Sequence, residues 1–122
     1  MGSHPLNLLL RFLLELAALT ALGYWGWQQA DGALAYMWAI GLPVVTAVLW
    51  ATFAVPNDPS RSGKAPVPVP GLLRLLLELL VFGTAVAALY SAGARLPGLL
   101  LGGITAIHYG LSVDRLKWLI RQ

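Results

Sequence analysis

Two short stretches of the sequence carry the same pair of opposite charges. Arg11 and Glu15 lie four residues apart, and so do Arg74 and Glu78. Residues at this spacing share one face of an α-helix. A carboxylate within an apolar segment often marks a path for ions or substrates, and polar side chains can also hold neighbouring helices together. These four residues are therefore the first candidates for a functional site.

Most of the remaining chain is apolar, so those charges lie within apolar segments. The 122 residues are 58% hydrophobic and 11% charged, and the mean hydropathy is +0.74. Soluble domains contain about 25% charged residues. The composition therefore excludes a disordered chain, a basic nucleic-acid-binding protein and an ordinary soluble enzyme. We predict an integral membrane protein whose main partner is the lipid bilayer.

Four apolar segments are long enough to cross the bilayer, which takes about 20 residues. They cover residues 6–27, 33–55, 71–93 and 96–113, and the last continues as an interfacial helix to residue 120. Leu and Ala dominate all four segments, which favours helices. The predicted fold is all-α: one membrane domain over residues 1–122, a four-helix bundle of two helical hairpins. The hairpins cover residues 6–55 and 71–120, and an extended, solvated, Pro-rich linker over 56–70 joins them.

The basic residues predict the orientation of this bundle. Seven of the eight Lys and Arg residues lie on the side of the termini and the linker, and only Arg95 lies on the other side. Basic residues are retained on the cytoplasmic side of membrane proteins. We therefore expect both termini and the linker to be cytoplasmic.

The charged pairs belong to an internal repeat. Residues 8–16 read LLLRFLLEL and residues 71–79 read GLLRLLLEL, so seven of nine positions match at a shift of 63 residues. Matches between leucines are common in such a composition, but the matching Arg and Glu are informative because charges are scarce. The repeat predicts a parallel duplication of the hairpin, with a pseudo-two-fold axis along the membrane normal.

Three segments together resemble a known family. They read RFLLELAAL followed by GYWGW, WAIGLPVVTAVLWATFAVP, and RLLLELLVFG followed by ALY. Over residues 6–93 this order resembles the YrdB-like family of small bacterial membrane proteins. The resemblance implies a four-helix protein of the bacterial cytoplasmic membrane. It supplies no catalytic or binding residues, because the family's function is unknown.

Three interpretations of the charged pairs are open at this point. In the first, the pairs clamp the first and third helices, either within each helix or crosswise as Arg11 with Glu78 and Arg74 with Glu15. In the second, the carboxylates belong to a proton or cation path. In the third, Arg11 and Arg74 bind anionic lipid headgroups.

Two further groups of residues are candidates for lesser roles. Thr105, His108 and Ser112 form a polar stripe on the fourth helix, which predicts either helix packing or a proton relay with the carboxylates. Gly41 and Pro43 interrupt the second helix, which predicts a kink that is either tolerated or serves as a hinge.

The sequence offers no credible catalytic or cofactor site. A single His within the spans, no Cys and no HExxH-type spacing argue against a metal or haem site. We predict a non-enzymatic protein that binds neither cofactor nor nucleic acid, with a homo-oligomer as an open option. The alternative is a small proton- or ion-coupled transporter or channel, which would act on an unknown ion or small molecule as an oligomer.

Overall fold

The computed structural model describes residues 4–60 and 65–122, and these are helical apart from one short pair of strands and the connecting turns. The elements are α1 (Pro5–Trp27), α2 (Ala33–Thr52), β1 (Phe53–Ala54), β2 (Val67–Pro68), α3 (Gly71–Ser91), α4 (Arg95–Leu111) and α5 (Val113–Ile120). The all-α class predicted from the composition is confirmed at this level.

Local sequence signals set where the first helices begin and end. The side chain of His4 accepts a hydrogen bond from the backbone N–H of Leu6, and Pro5 occupies the first turn of α1, where its missing N–H costs nothing. Gly32 precedes α2 with a φ of 63°, and Gly93 follows α3 with a φ of 88°. Both conformations favour glycine, and they let the chain reverse within a few residues.

Three of the helices, α1, α2 and α3, are long and apolar enough to cross a membrane. The pair α4 and α5 together meets the same test, but the two are bent by 73° at Ser112. Many large apolar side chains on these helices face outward, including Leu9, Leu76 and Leu99. Monomeric soluble proteins rarely expose so continuous an apolar surface, so the surface fits a helical membrane protein.

The apolar core lies between α1, α3 and α4. Its buried members are Leu14, Ala18, Ala21, Val81, Phe82, Ala85, Leu101 and Tyr109. Helix α2 takes little part, because Ala35 is its only buried residue. It packs closely on α1 near the connecting turn, where a Cβ atom added to Gly26 would lie 2.6 Å from the Trp38 carbonyl oxygen. We call the opposite end, where α1 and α3 begin and α2 ends, the charged end.

The connection between the two hairpins differs from the predicted one. Helix α2 ends at Thr52, three residues before the predicted end of the first hairpin. Phe53 pairs with Val67 and Ala54 with Pro68 in a two-residue parallel ladder. The linker is therefore not solvated throughout, since it contributes β2 to this ladder and contains the buried Asp58. The basic residues of the linker, Arg61 and Lys64, lie outside the described residues.

The bend at Ser112 carries α5 across the start of α3. A Cβ atom added to Gly71 would collide with the backbone oxygen of Leu119, so only glycine permits this approach. Arg115 and Leu119 are the buried residues of α5. The last helix therefore covers the charged end of the bundle.

Candidate functional site: a buried charged cluster

Glu78 is the centre of the charged end. Its side chain is 0% exposed. Arg11 donates to both carboxylate oxygens at 3.2 and 2.8 Å, Arg74 Nε donates at 2.8 Å, and Arg115 donates at 2.9 and 2.8 Å. The hydroxyl of Tyr109 completes the shell at 2.7 Å. One carboxylate thus joins side chains of α1, α3, α4 and α5, and such charge-assisted hydrogen bonds are stronger than neutral ones.

Arg115 connects this centre to the linker. Its Nε and Nη2 atoms donate to the two oxygens of Asp58 at 2.9 and 2.6 Å, while Nη1 and Nη2 reach Glu78. Asp58 also accepts hydrogen bonds from the backbone N–H and the hydroxyl of Ser60. Burial by itself would raise the pKa of Asp58, but the hydrogen bonds and charge of Arg115 outweigh it and hold this pKa below its usual value.

Arg74 ties the end of α2 to the cluster. Its Nη1 atom donates to the backbone carbonyls of Trp50 and Phe53, the second at 2.7 Å. The last carbonyls of a helix lack partners within the helix and carry partial negative charge. The Trp50 ring also stacks with two guanidinium groups, 5.1 Å from Arg11 and 4.5 Å from Arg74. This arginine therefore stabilises the point at which α2 stops.

Glu15, the repeat partner of Glu78, has different surroundings. Arg11 Nε lies 3.3 Å from one of its oxygens. The Glu15 side chain is 27% exposed and lines a cavity between α1 and α2. The same two-residue motif thus yields one sealed carboxylate and one that is partly open.

Of the two pairings that the repeat left open, within each helix and crosswise, the structure contains examples of both. Arg11 reaches across to Glu78, as expected, but Arg74 pairs with Glu78 of its own helix. Among the residues that the structure describes, no ion pair joins Arg74 to Glu15. Both within-helix pairs, Arg11 with Glu15 and Arg74 with Glu78, therefore form, together with one of the two crossed pairs.

The polar stripe of α4 faces the bundle interior but does not meet the carboxylates. The ring of His108 hydrogen-bonds to the side-chain oxygen of Asn7 at 2.9 Å, and Asn7 donates to Ser112 at 2.7 Å. His108 Nε2 and Thr105 Oγ1 are buried and have no hydrogen-bond partner in the described parts of the chain. The stripe thus joins α4 to the start of α1, and its predicted role as a proton relay stays a prediction.

The predicted hinge residues lie within α2, away from the cluster. Pro43 is inside the helix, and its ring would lie 3.3 Å from a Cβ atom added to Gly23 of α1. A Cβ atom added to Gly41 would have nothing within 4 Å. The structure thus places Pro43 against α1, whereas Gly41 has free space beside it.

Comparisons with known proteins show the family of the chain. The family described as "Protein of unknown function (DUF2568)" matches residues 9–106. The chain belongs to the DUF2568 family. A relative from Bacillus subtilis (strain 168), named "Uncharacterized protein YrdB", is 44% identical over 116 residues, which cover 95% of this chain and 94% of the relative. The YrdB-like resemblance of the sequence is thereby confirmed, and no solved structure matches the chain.

The sequence pattern of this DUF2568 protein did not indicate Arg115, Asp58 or Tyr109, which contact each other or Glu78 at the charged end. It also did not indicate Asn7, which contacts the polar stripe of α4. One signal was available. Ser112 and Arg115 continue the stripe of Thr105 and His108 at spacings of three and four residues, which is the period of one helix face.

The cluster of this DUF2568 protein balances its charges. It joins three guanidinium groups to three carboxylates, namely Arg11, Arg74, Arg115, Glu15, Asp58 and Glu78. No group of three or more His, Cys, Asp or Glu residues suitable for a metal ion occurs within residues 4–60 and 65–122. The chemistry that this arrangement supports is ion pairing and hydrogen bonding.

Proposed function

We propose that this DUF2568 protein is a non-enzymatic integral protein of the bacterial cytoplasmic membrane, in which the charged cluster clamps the helices together. It crosses the bilayer four times, with both termini and the linker in the cytoplasm. The observation that carries the proposal is Glu78, fully buried and bonded to three arginines from three helices.

Each charged residue of the cluster would raise the free energy of the folded protein in the membrane if it had no partner. A single charge near the middle of a membrane helix costs about 3 kcal/mol on insertion scales. Removing one partner of a buried ion pair costs about 3–5 kcal/mol, since the remaining charge stays buried without compensation. The three arginines and Glu78 therefore favour one arrangement of α1, α3 and α5 over any in which these helices separate.

The position of the cluster supports the orientation. The beginnings of α1 and α3, the end of α2 and the whole of α5 meet at the charged end, together with most basic residues of the chain. Arg95 begins α4 at the other end. Retention of basic residues in the cytoplasm would place the charged end there.

The orientation is testable because the chain has no cysteine. Asp31→Cys and Gln122→Cys place one thiol at each end of the bundle. In intact cells, a membrane-impermeant maleimide should label the first variant only, and both should react after the membrane is opened. Labelling of Gln122→Cys alone in intact cells would show that the topology is the reverse of the proposed one. Release of the protein from membranes by alkaline carbonate would exclude integral insertion.

The clamp is tested by the double variant Glu15→Gln with Glu78→Gln. It should unfold at a much lower temperature than the parent in detergent, while Asp31→Asn, which also removes one carboxylate, should match the parent. A double variant as stable as the parent would contradict the clamp.

The alternative function is a small proton- or ion-coupled transporter acting as an oligomer. The observation that favours it is Glu15, whose carboxylate lines a cavity. Under this alternative, liposomes with the parent would show pH-dependent flux, and Glu15→Gln would abolish the flux without loss of stability. Absence of proton or cation flux with the parent would reject it.

A further inference from the structure

The space between α1 and α2 widens from the turn toward the charged end. Near the turn the helices touch, since Cβ atoms added to Gly26 and Gly23 would lie 2.6 and 3.0 Å from backbone oxygens of α2. At the charged end, two adjoining cavities of about 290 and 140 Å³ separate the helices. They share the side chains of Phe12, Glu15 and Trp50, and we call the two together the inter-helix cleft. Its size is that of a small-molecule site, which is typically about 300–1,000 Å³.

The cleft has a polar part and an apolar part. The larger cavity contains charged and hydroxyl side chains, and the smaller one is lined mainly by apolar groups. The polar part includes Arg11, Glu15, Ser60 and Arg74. The apolar part includes Leu16, Leu19, Ala47 and Val81. A ligand that fills both parts must be an amphiphile.

Both signs of charge face the polar part. Arg74 is one of the residues that line the cleft, and it donates through Nε and Nη1 to groups of the described chain. Glu15 is 27% exposed there and is paired through Arg11 Nε at 3.3 Å. The cluster contains as many carboxylates as guanidinium groups, so its net charge is close to zero. A simple anion or cation therefore gains little binding energy from that net charge. A molecule with an adjacent anion and cation matches the wall of the cleft better.

The cationic group of the ligand is best matched by a primary ammonium. Its N–H groups can donate charge-assisted hydrogen bonds to Glu15. Quaternary ammonium groups have no N–H and are recognised by open aromatic faces. The Trp50 ring already stacks with the guanidinium groups of Arg11 and Arg74, which disfavours a choline-type headgroup.

The mouth of the cleft lies among apolar surface. Phe12 and Leu16 of α1, which line the cleft, are both about half exposed. In a bilayer these side chains would contact acyl chains, so the cleft would open to lipid. A phospholipid can place its headgroup in the polar part and one tail along the apolar part.

We propose that the inter-helix cleft binds a zwitterionic phospholipid with a primary ammonium headgroup. The phosphate faces Arg74, the ammonium faces Glu15, and an acyl chain follows α1 past Leu19. The proposal rests on the proposed membrane insertion, but not on the clamp.

The test uses the full chain, purified from membranes in detergent and stripped of lipid. Native mass spectrometry measures the affinity for phosphatidylethanolamine, phosphatidylcholine and phosphatidylglycerol with the same acyl chains. The ethanolamine lipid should bind about tenfold more tightly than the other two, the difference expected for one hydrogen bond between charged groups. Equal binding of all three lipids, or preference for the glycerol lipid, would overturn the proposal.

Two variants locate the site. Glu15→Gln should reduce the affinity for phosphatidylethanolamine to that for phosphatidylcholine. Asp31→Asn, at the other end of the bundle, should keep the preference for phosphatidylethanolamine. Ala47→Phe should weaken the binding of all three lipids, because the Phe side chain would fill the apolar part of the cleft. Retention of the ethanolamine preference in Glu15→Gln would place the site elsewhere and contradict the proposal. Carbonate extraction of the parent tests membrane insertion separately, so failure of the proposed function is distinguishable from failure of this site.

Discussion

Glu15 and Glu78 occupy equivalent positions in two copies of one motif, yet their environments are opposite. Glu78 is sealed and bonded to Arg11, Arg74, Arg115 and Tyr109. Glu15 is partly exposed, and its ion pair with Arg11 is longer, at 3.3 Å. The motif alone therefore does not determine what its carboxylate does.

The difference originates in the helices that follow each copy of the motif. After α3, the chain returns through α4, bends by 73° at Ser112, and lays α5 over the charged end. After α1, the chain returns through α2, whose only buried residue lies near the turn. One copy of the charged motif is thus covered by the helices that follow it, and the other is left partly exposed.

Arg115 gives the most severe test of this comparison, because it contacts Glu78 and Asp58 but not Glu15. Arg115→Met should lower the free energy of unfolding by about 3–5 kcal/mol, since two buried carboxylates lose a shared partner. Chemical denaturation in detergent micelles measures the effect. Lys117→Met, an exposed position on the same helix, is the matched control and should change little. Equal effects of the two substitutions would show that Arg115 does not hold the cluster.

The contact between α5 and α3 is the second point at which the two halves differ. Gly71→Ala should destabilise the protein by about 3 kcal/mol, because the new methyl group would collide with the backbone of Leu119. Gly83→Ala on the same helix meets nothing within 4 Å and should be neutral or slightly stabilising. Thermal unfolding of both variants gives the comparison. If Gly71→Ala were as stable as Gly83→Ala, α5 would not pack on α3 as described.

Tyr109 contributes a single hydrogen bond, which only Glu78 receives. Tyr109→Phe should cost about 1.5 kcal/mol, a typical value for a buried hydrogen bond to a charged group. Tyr90→Phe, at an exposed position on α3, serves as the control. The free energies of unfolding of the two variants are compared with that of the parent. If Tyr90→Phe lowers this free energy as much as Tyr109→Phe does, the Tyr109 hydroxyl has no specific role.

Asp58 gives the cluster a pH dependence at its linker side. Its pKa lies below the ordinary value of 3.8, so its contribution to stability is complete above about pH 4 and is lost as the pH falls through the lower, folded-state pKa. Between pH 6 and pH 3 the unfolding temperature should therefore fall further in the parent than in Asp58→Asn. Parallel curves for the two proteins would show that Asp58 does not stabilise the folded state through its charge.

The sequence predicted the helices better than the cluster, for a physical reason. Apolar length and composition located α1 and α3 to within two residues, because the requirements for a membrane span are local. The crossed contact of Arg11 with Glu78 was one of the pairings that the repeat left open. The convergence of Arg115 on Glu78 depends on the bend at Ser112, a tertiary feature that the hydropathy pattern does not encode.

The linker was hardest to predict. Its prolines and polar residues indicate that no helix forms, and residues 56–60 and 65–70 contain none. The burial of Asp58 depends on a guanidinium group 57 residues further along the chain. A loop aspartate of this kind has no local signal that separates it from a solvated one.

In the proposed clamp, Glu78 holds the bundle together whereas Glu15 does not. The most direct measurement compares the unfolding free energies of Glu78→Gln and Glu15→Gln, each made alone, in the same detergent and at neutral pH. We expect a loss of about 3 kcal/mol or more for Glu78→Gln and of less than about 1 kcal/mol for Glu15→Gln. Equal losses, or a larger loss for Glu15→Gln, would contradict the account.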